Sequence, residues 1–221
     1  MPSPFDQSTY QVRLDWGTAG LDRLAGAGAD VVVVVDVLRF SSIVVDAVAS
    51  GAEVGVAEAE TWSRNGAAVA VAASRGSTVL VGSIRNAGAV ARAVQTIQER
   101  RQARTSVAVI AAGELDENEL LRFAVEDQLG AGAVIAALSA RGIDHTAPDA
   151  AVAAEGFHAL RAAVRHMVGA SGSGREIAGG VAATARIETA GLTPTTVADA
   201  AVLDAVDVVP VLRDGVFTRF E

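Results

Sequence analysis

An acid and a base three residues apart, Asp36 and Arg39, stand where an all-valine run, Val31 to Val35, gives way to a helical pattern. In open α/β sheets, ligands bind outside the carboxyl ends of the strands. A carboxylate at such an end can hold a divalent cation. A guanidinium beside it can clamp a phosphate or carboxylate through two parallel hydrogen bonds. Ser41 and Ser42 follow at the helix start, where free backbone N–H groups attract anions. The same residues would equally serve as a structural ion pair with Ser41 as a plain N-cap.

Three further stretches carry usable chemistry. In "ASRGSTV" (Ala73 to Val79), Arg75, Ser77 and Thr78 surround a glycine, a combination that suits an oxyanion and also an ordinary turn. In "VEDQLGAGAV", Glu126 and Asp127 are adjacent acids at a predicted helix start. They can share Mg²⁺, a hard cation that takes few protein oxygens and keeps waters, or balance the helix dipole. Gly130 and Gly132 just beyond them allow another backbone to approach closely. "SGSGRE", with Arg175, reads as an anion nest or a flexible loop.

Composition removes several alternatives. All 18 basic residues are arginine, so a Walker A loop, a lysine Schiff base and a catalytic lysine are excluded. Cysteine is absent, which excludes disulfides, a thiol nucleophile and thiolate metal sites. A net charge of −8 argues against a nucleic-acid partner. No apolar run is long enough to span a bilayer. "MPSPFDQSTY" lacks the layout of a signal peptide, so a cytoplasmic protein is expected. "GAGAD" precedes a strand and is not a dinucleotide loop, there is no G-x-S-x-G elbow, and the three histidines lack metal spacing.

The elements that must position these residues alternate between strand and helix. "YQVRLDW", "DVVVVVDV", "AEVGVAE", "AAVAVAA", "STVLVGS" and "TSVAVIAAG" read as strands. "AGLDRLAGAG" reads as a short helix ending in glycine. Ser41 to Ser50, Asn86 to Arg101, Glu117 to Arg141 and Ala150 to Val168 read as helices, with a further alanine-rich helical stretch around Thr195 to Leu203. "VDVVPVL" and "GVFTRF" close the chain as strands joined by a turn at Asp214-Gly215. This alternation predicts one α/β domain over residues 1–221, an α/β/α sandwich with a largely parallel or mixed sheet. Homo-oligomerisation through an alanine-rich surface helix stays open, and no heptad pattern supports it.

Several blocks resemble the 2-phosphosulfolactate phosphatase (ComB-like) family. "VDVLRFSSIVVDAVASGA" is similar to that family's run of strand, Asp-Val-Leu-Arg, hydroxyl pair, helix and Gly-Ala. "VLVGSIRNAGAVARAV", "VAVIAAGELDENELLRFAVEDQLGAGAVIAAL", "SGSGREI" and "LDAVDVVPVLRDGVF" resemble its later blocks in order. The resemblance implies a Mg²⁺-dependent hydrolase of a small anionic phosphoester, converting (2R)-phospho-3-sulfolactate to 3-sulfolactate and phosphate, as in coenzyme M biosynthesis. Asp36 with Glu126 or Asp127 would hold Mg²⁺, and Asp36 and Arg39 would be catalytic. Arg39 and Arg75 would bind phosphate or sulfonate, Ser77 and Thr78 would add hydroxyl donors, and Asn86 and Arg175 would line the pocket. The nucleophile would be a metal-activated water or a side chain.

The chain also departs from the family pattern. "RFSS" stands for Arg-Ala-Thr-Thr, and "SRGST" for Thr-Asn-Gly-Thr. Between the strands near Val54 and Val69, "EAETWSRNGAA" replaces a longer segment with a Gly-Glu pair and a Gly-Asn-Ser-Pro run, leaving Glu58 or Glu60 to stand for that glutamate. The alternative expectation is a divergent member that binds an anionic metabolite without hydrolysing it.

Overall fold

The computed structural model describes residues 3, 5–25 and 28–221. In chain order the first half runs β1 (Val12–Trp16), α1 (Gly17–Ala25), β2 (Val31–Val35), α2 (Phe40–Ala49), β3 (Val54–Gly55), α3 (Val56–Ala59), α4 (Gly66–Ala73), β4 (Thr78–Gly82), α5 (Ala87–Arg101) and β5 (Val107–Ala111). The second half runs β6 (Glu114–Leu115), β7 (Leu121–Arg122), α6 (Val125–Ser139), α7 (Pro148–Leu160), α8 (Val164–Ala170), α9 (Gly172–Gly179), α10 (Ala182–Thr189), α11 (Val197–Ala200), β8 (Pro210–Arg213) and β9 (Val216–Arg219). Seven strands form one mixed sheet in the order β1-β5-β2-β4-β8-β9-β3. The first four are parallel, and β8, β9 and β3 join antiparallel.

The valine run explains the layering. Successive strand side chains point to opposite faces, so Val31, Val33 and Val35 enter one core with α5, α6 and α7. Val32 and Val34 enter the other, with α1, α2 and α4. All five are fully buried, as expected for a central parallel strand covered by helices on both faces. The architecture is an α/β/α sandwich with a mixed sheet.

Close packing brings α6 onto its neighbours. A Cβ at Gly132 would lie 2.2 Å from the Ala153 carbonyl of α7, and one at Gly130 would lie 2.5 Å from Val37 Cγ2. Glycine is what lets α6 press against both α7 and the segment that follows β2.

Four expected elements take another form. "AAVAVAA" is α4 instead of a strand; a short apolar run has no decisive period, and alanine is the best helix former. In "AEVGVAE" only Val54 and Gly55 pair, and α3 begins at once. The region expected as helix from Glu117 opens with the β6–β7 hairpin, whose turn is held by Asp116 Oδ1 accepting from Asn118 N at 2.8 Å and Leu120 N at 2.9 Å. The helix itself starts at Val125. "GASGSGRE" contains α9, capped by Ser171 Oγ, which accepts from Gly174 N at 3.1 Å. The glycine end expected for α1 includes Gly26 and lies outside the described residues. Among the described residues no helix is long and apolar enough to cross a membrane.

Candidate active site

Asp36 follows β2 directly, and its side chain is trapped between two helix starts. Oδ1 accepts from Phe40 N of α2 at 3.3 Å, and Oδ2 accepts from Gly66 N of α4 at 3.0 Å. The turn beneath it is fixed by Ser41, whose Oγ accepts from Asp36 N at 2.9 Å and donates to Val34 O at 3.2 Å. Ser42 Oγ donates to Val37 O at 2.8 Å. Both hydroxyls are therefore spent on the backbone and are not free to bind an anion. The Leu38–Arg39 peptide is cis.

A second acid ties the neighbouring strand ends together. Asp127, 3% exposed in the first turn of α6, accepts from Val37 N after β2 at 2.7 Å and from Gly113 N after β5 at 2.9 Å. Glu126 beside it is equally buried and accepts from Ser173 Oγ of α9.

These groups surround a cavity of about 320 Å³ at the carboxyl ends of the parallel strands. Asp36, Arg39, Arg64, Asn65, Glu114 and Arg186 are in its wall, and α9 and α10 roof it. Arg39 is partly buried and donates to Thr184 Oγ1 of α10 at 3.1 Å. A larger hollow of about 590 Å³ lies beside β1 and is lined by Asp15, Arg23 and Asp149, but Arg23 is already paired with Asp15 at 2.6 Å. It has no comparable meeting of free acids and bases, and the smaller cavity is the better site.

The electrostatics of the cavity are those of crowded, desolvated acids. Burial pushes the Asp36 carboxyl up to about 7, against the pull of its two N–H donors, and Glu114 and Glu126 push it in the same direction. Burial, and then Asp36 and Glu126, push Asp127 well above the usual carboxylate range despite its two backbone N–H bonds. Burial likewise lowers the Arg39 guanidinium, while Asp36, Glu176 and Glu114 act to keep its charge.

Such a set of crowded acids suits a cation. One more oxygen supports this: Asn65 Oδ1 is buried without any hydrogen-bond partner. The amide's other end is fixed, with Nδ2 donating to Gly113 O at 2.9 Å and Glu114 Oε1 at 3.4 Å. An orphaned acceptor next to mutually repelling carboxylates is a hard-oxygen environment that fits Mg²⁺. Among the described residues no three His, Asp or Glu side chains are grouped to hold a metal.

The structure brings only some of the expected residues together. Asp36 and Arg39 share the cavity, and Glu126 and Asp127 stand behind it. Arg75, Ser77 and Thr78 do not belong to it. Thr78 pairs with Val31 at the amino end of β2, whereas Asp36 lies past the carboxyl end, five strand residues and roughly 16 Å away. There Arg75 is exposed, and Ser77 Oγ donates to Ala29 O at 2.6 Å, so the segment is a turn. Asn86 is fully buried and bonds Ser83 N (2.9 Å), Val81 O (3.1 Å) and Val208 O (3.0 Å), a structural role. Arg175 is exposed on α9, whose Ser173, Glu176 and Ile177 line the cavity in its place. Glu58 and Glu60 are exposed outside the cavity. The shortened interval contributes Trp62, Ser63, Arg64 and Asn65 instead.

Glu114 was findable, because it follows the buried strand β5 at its carboxyl end just as Asp36 follows β2. Arg64, Asn65, Ser173 and Arg186 carry no local pattern that marks them.

A family model described as 2-phosphosulpholactate phosphatase matches residues 60–215. The matched stretch includes Asn65, Glu114, Glu126, Asp127 and Arg186, and it begins after Asp36 and Arg39. No curated protein matches the chain.

Proposed function

The chain belongs to the 2-phosphosulpholactate phosphatase family, and from that premise we propose that it is a Mg²⁺-dependent phosphatase of a small, multiply anionic phosphoester, (2R)-phospho-3-sulfolactate being the substrate that fits best. One observation carries this reading. Asp36 and Glu114 share a single cavity with three arginines, Arg39, Arg64 and Arg186. Phosphosulfolactate has three anionic groups, a phosphate, a sulfonate and a carboxylate, and guanidinium is the side chain best matched to each.

Asp36, Glu114 and Asn65 Oδ1 would hold Mg²⁺, with Glu126 behind them held by Ser173. When bound, the ion neutralises charge on the phosphoryl oxygens and polarises the ester. Asp127 does not line the cavity; it accepts from Val37 N and Gly113 N and would act by fixing the loops that carry Asp36 and Glu114. Arg39 is anchored by Thr184 at the rim and orients the phosphoryl group. Arg64 and Arg186 receive the other two anions. Ser173, Glu176 and Ile177 of α9 and Ala182, Ala183 and Arg186 of α10 line one side of the cavity, where they would limit solvent around the reacting charges.

The test is a phosphate-release assay with phosphosulfolactate and a panel of small phosphoesters, with and without Mg²⁺. The expected result is Mg²⁺-dependent turnover that Asp36→Asn abolishes. Binding of sulfolactate or phosphate by the wild type with no turnover on any ester would instead make the chain an anion-binding protein.

A further inference from the structure

Arg64, Asn65 and Leu115 line the cavity of the proposed active site, and the same three residues line a second recess of about 240 Å³. The two hollows therefore share a wall. The rest of the recess is mostly apolar: Ala19 of α1, Ala68 and Val69 of α4, Ala112 after β5, and Leu120 and Leu121 of the β6–β7 hairpin. Its one acid is Glu119, at the hairpin turn, where Glu119 N donates to Asp116 O at 3.0 Å. Leu120 is 64% exposed and Leu121 43%. Leu121 is nevertheless seated firmly, since a Cβ at Gly113 would lie 2.8 Å from its Cδ1 and one at Gly17 would lie 3.2 Å away. An apolar surface held open to solvent beside polar groups marks a ligand groove or a contact site.

Continuity with the charged cavity favours a ligand. Small-molecule sites join apolar walls to a few charged groups that fix orientation. Arg64 stands where the two kinds of wall meet, and among the described residues it makes no ion pair. On the reading of the cavity as an anion site, on which this inference rests, we propose that the recess is a subsite for the apolar tail of an anionic ligand. The head is held among the arginines of the cavity. The tail passes Arg64 and lies between Ala68 and the hairpin leucines. Glu119 selects an uncharged tail, because a second anion there would meet a carboxylate. A recess of about 240 Å³ has room for roughly eight groups the size of water, which suits an unbranched chain of about six carbons. The substrate class thereby widens to phosphoesters that carry an alkyl group.

The test is calorimetric titration of the full chain, with Mg²⁺, by n-alkylphosphonates from ethyl to hexyl. These carry the charge of a phosphoester and have no ester bond to hydrolyse. Affinity should rise about threefold with each added methylene, a little less than full burial of a methylene gives, because the leucines leave one side open. A hexyl chain that ends in a carboxylate should lose this gain. Ala68→Trp grows into the recess from a partly exposed position of α4 and should flatten the series. Leu120→Ser changes an exposed position on which folding does not depend, and should weaken hexylphosphonate about threefold. Affinity independent of chain length, a series as steep in Ala68→Trp as in the wild type, or no binding of any phosphonate would each overturn the subsite. So would sedimentation showing a dimer that Leu120→Ser dissociates, since a second copy of the chain would then cover the leucines. Hydrolysis of short phosphoesters with no effect of chain length on binding would leave the phosphatase reading standing and remove only the subsite. Binding that strengthens with chain length, in a protein that hydrolyses no ester, would do the reverse.

Discussion

Gly66 donates its backbone N–H to Asp36 Oδ2 at 3.0 Å, joining the start of α4 to the end of β2. A side chain has no room there, since a Cβ would lie 2.7 Å from Asp36 Oδ2 and 2.6 Å from Phe40 Cδ1. Gly66→Ala should therefore lower the melting temperature, although alanine is the better helix former, because overpacking of this kind costs about 1–3 kcal/mol. It should also turn Asp36 away from the cavity and reduce kcat/KM for phosphoester hydrolysis at least about tenfold. A melting temperature equal to or above the wild type would show that the contact is not tight.

Asp127 is predicted to matter through structure. Its carboxylate joins Val37 N and Gly113 N across the ends of β2 and β5. Asp127→Asn places an amide N–H₂ against one of two N–H donors, leaving a buried donor unpaired at a cost of about 1–3 kcal/mol. Denaturant unfolding should show that loss whether or not Mg²⁺ is present. An Asp127→Asn protein as stable as the wild type, but unable to respond to Mg²⁺, would make Asp127 a metal ligand.

The parts of this site that could be foreseen are those set by local rules. Val31 to Val35 is a buried strand by composition, and the carboxyl end of such a strand is where Asp36 and Arg39 fall. The tight packing at Gly130 and Gly132 follows equally from two glycines in a helix. What local rules could not supply was distance. Arg75 and Asp36 flank the same pair of strands, and only the parallel register of β2 with β4 places them at opposite ends. Arg186 enters from α10, which has one buried residue, Ile187, and no strong pattern. Asn65 was hidden because "AAVAVAA" has no decisive period. With that run taken as a strand, the preceding "SRNG" reads as a connector and not as the start of a helix aimed at Asp36.

The arginines give a contrast within one experiment. Arg186 is in the cavity wall, whereas Arg75 is exposed beyond the amino end of β4. Arg186→Ala should raise KM for a trianionic ester about tenfold, with a smaller change in kcat, because it binds an anion that does not react. Arg75→Ala should leave both constants within about twofold. A large effect of Arg75→Ala would mean that anion binding occurs at the far end of the sheet.

The buried acids predict how stability responds to pH and metal. The folded Asp36 carboxyl is pushed up to about 7, well above the value near 3.9 of an unfolded chain, and Asp127 is shifted in the same direction. Between about pH 4 and pH 7 the folded state therefore binds protons that the unfolded state has released. Linkage then makes stability fall as pH rises through that window, by an amount on the order of a few kcal/mol. The metal-free protein should melt at a lower temperature at pH 8 than at pH 5. Mg²⁺ should raise the melting temperature more at pH 8, where the carboxylates are charged and repel one another, than at pH 5, where protons compete for the same oxygens. Asp36→Asn should flatten the slope and weaken the Mg²⁺ response together. A metal-free protein whose melting temperature rises from pH 5 to pH 8 would show that the acids are already neutralised by the arginines around them.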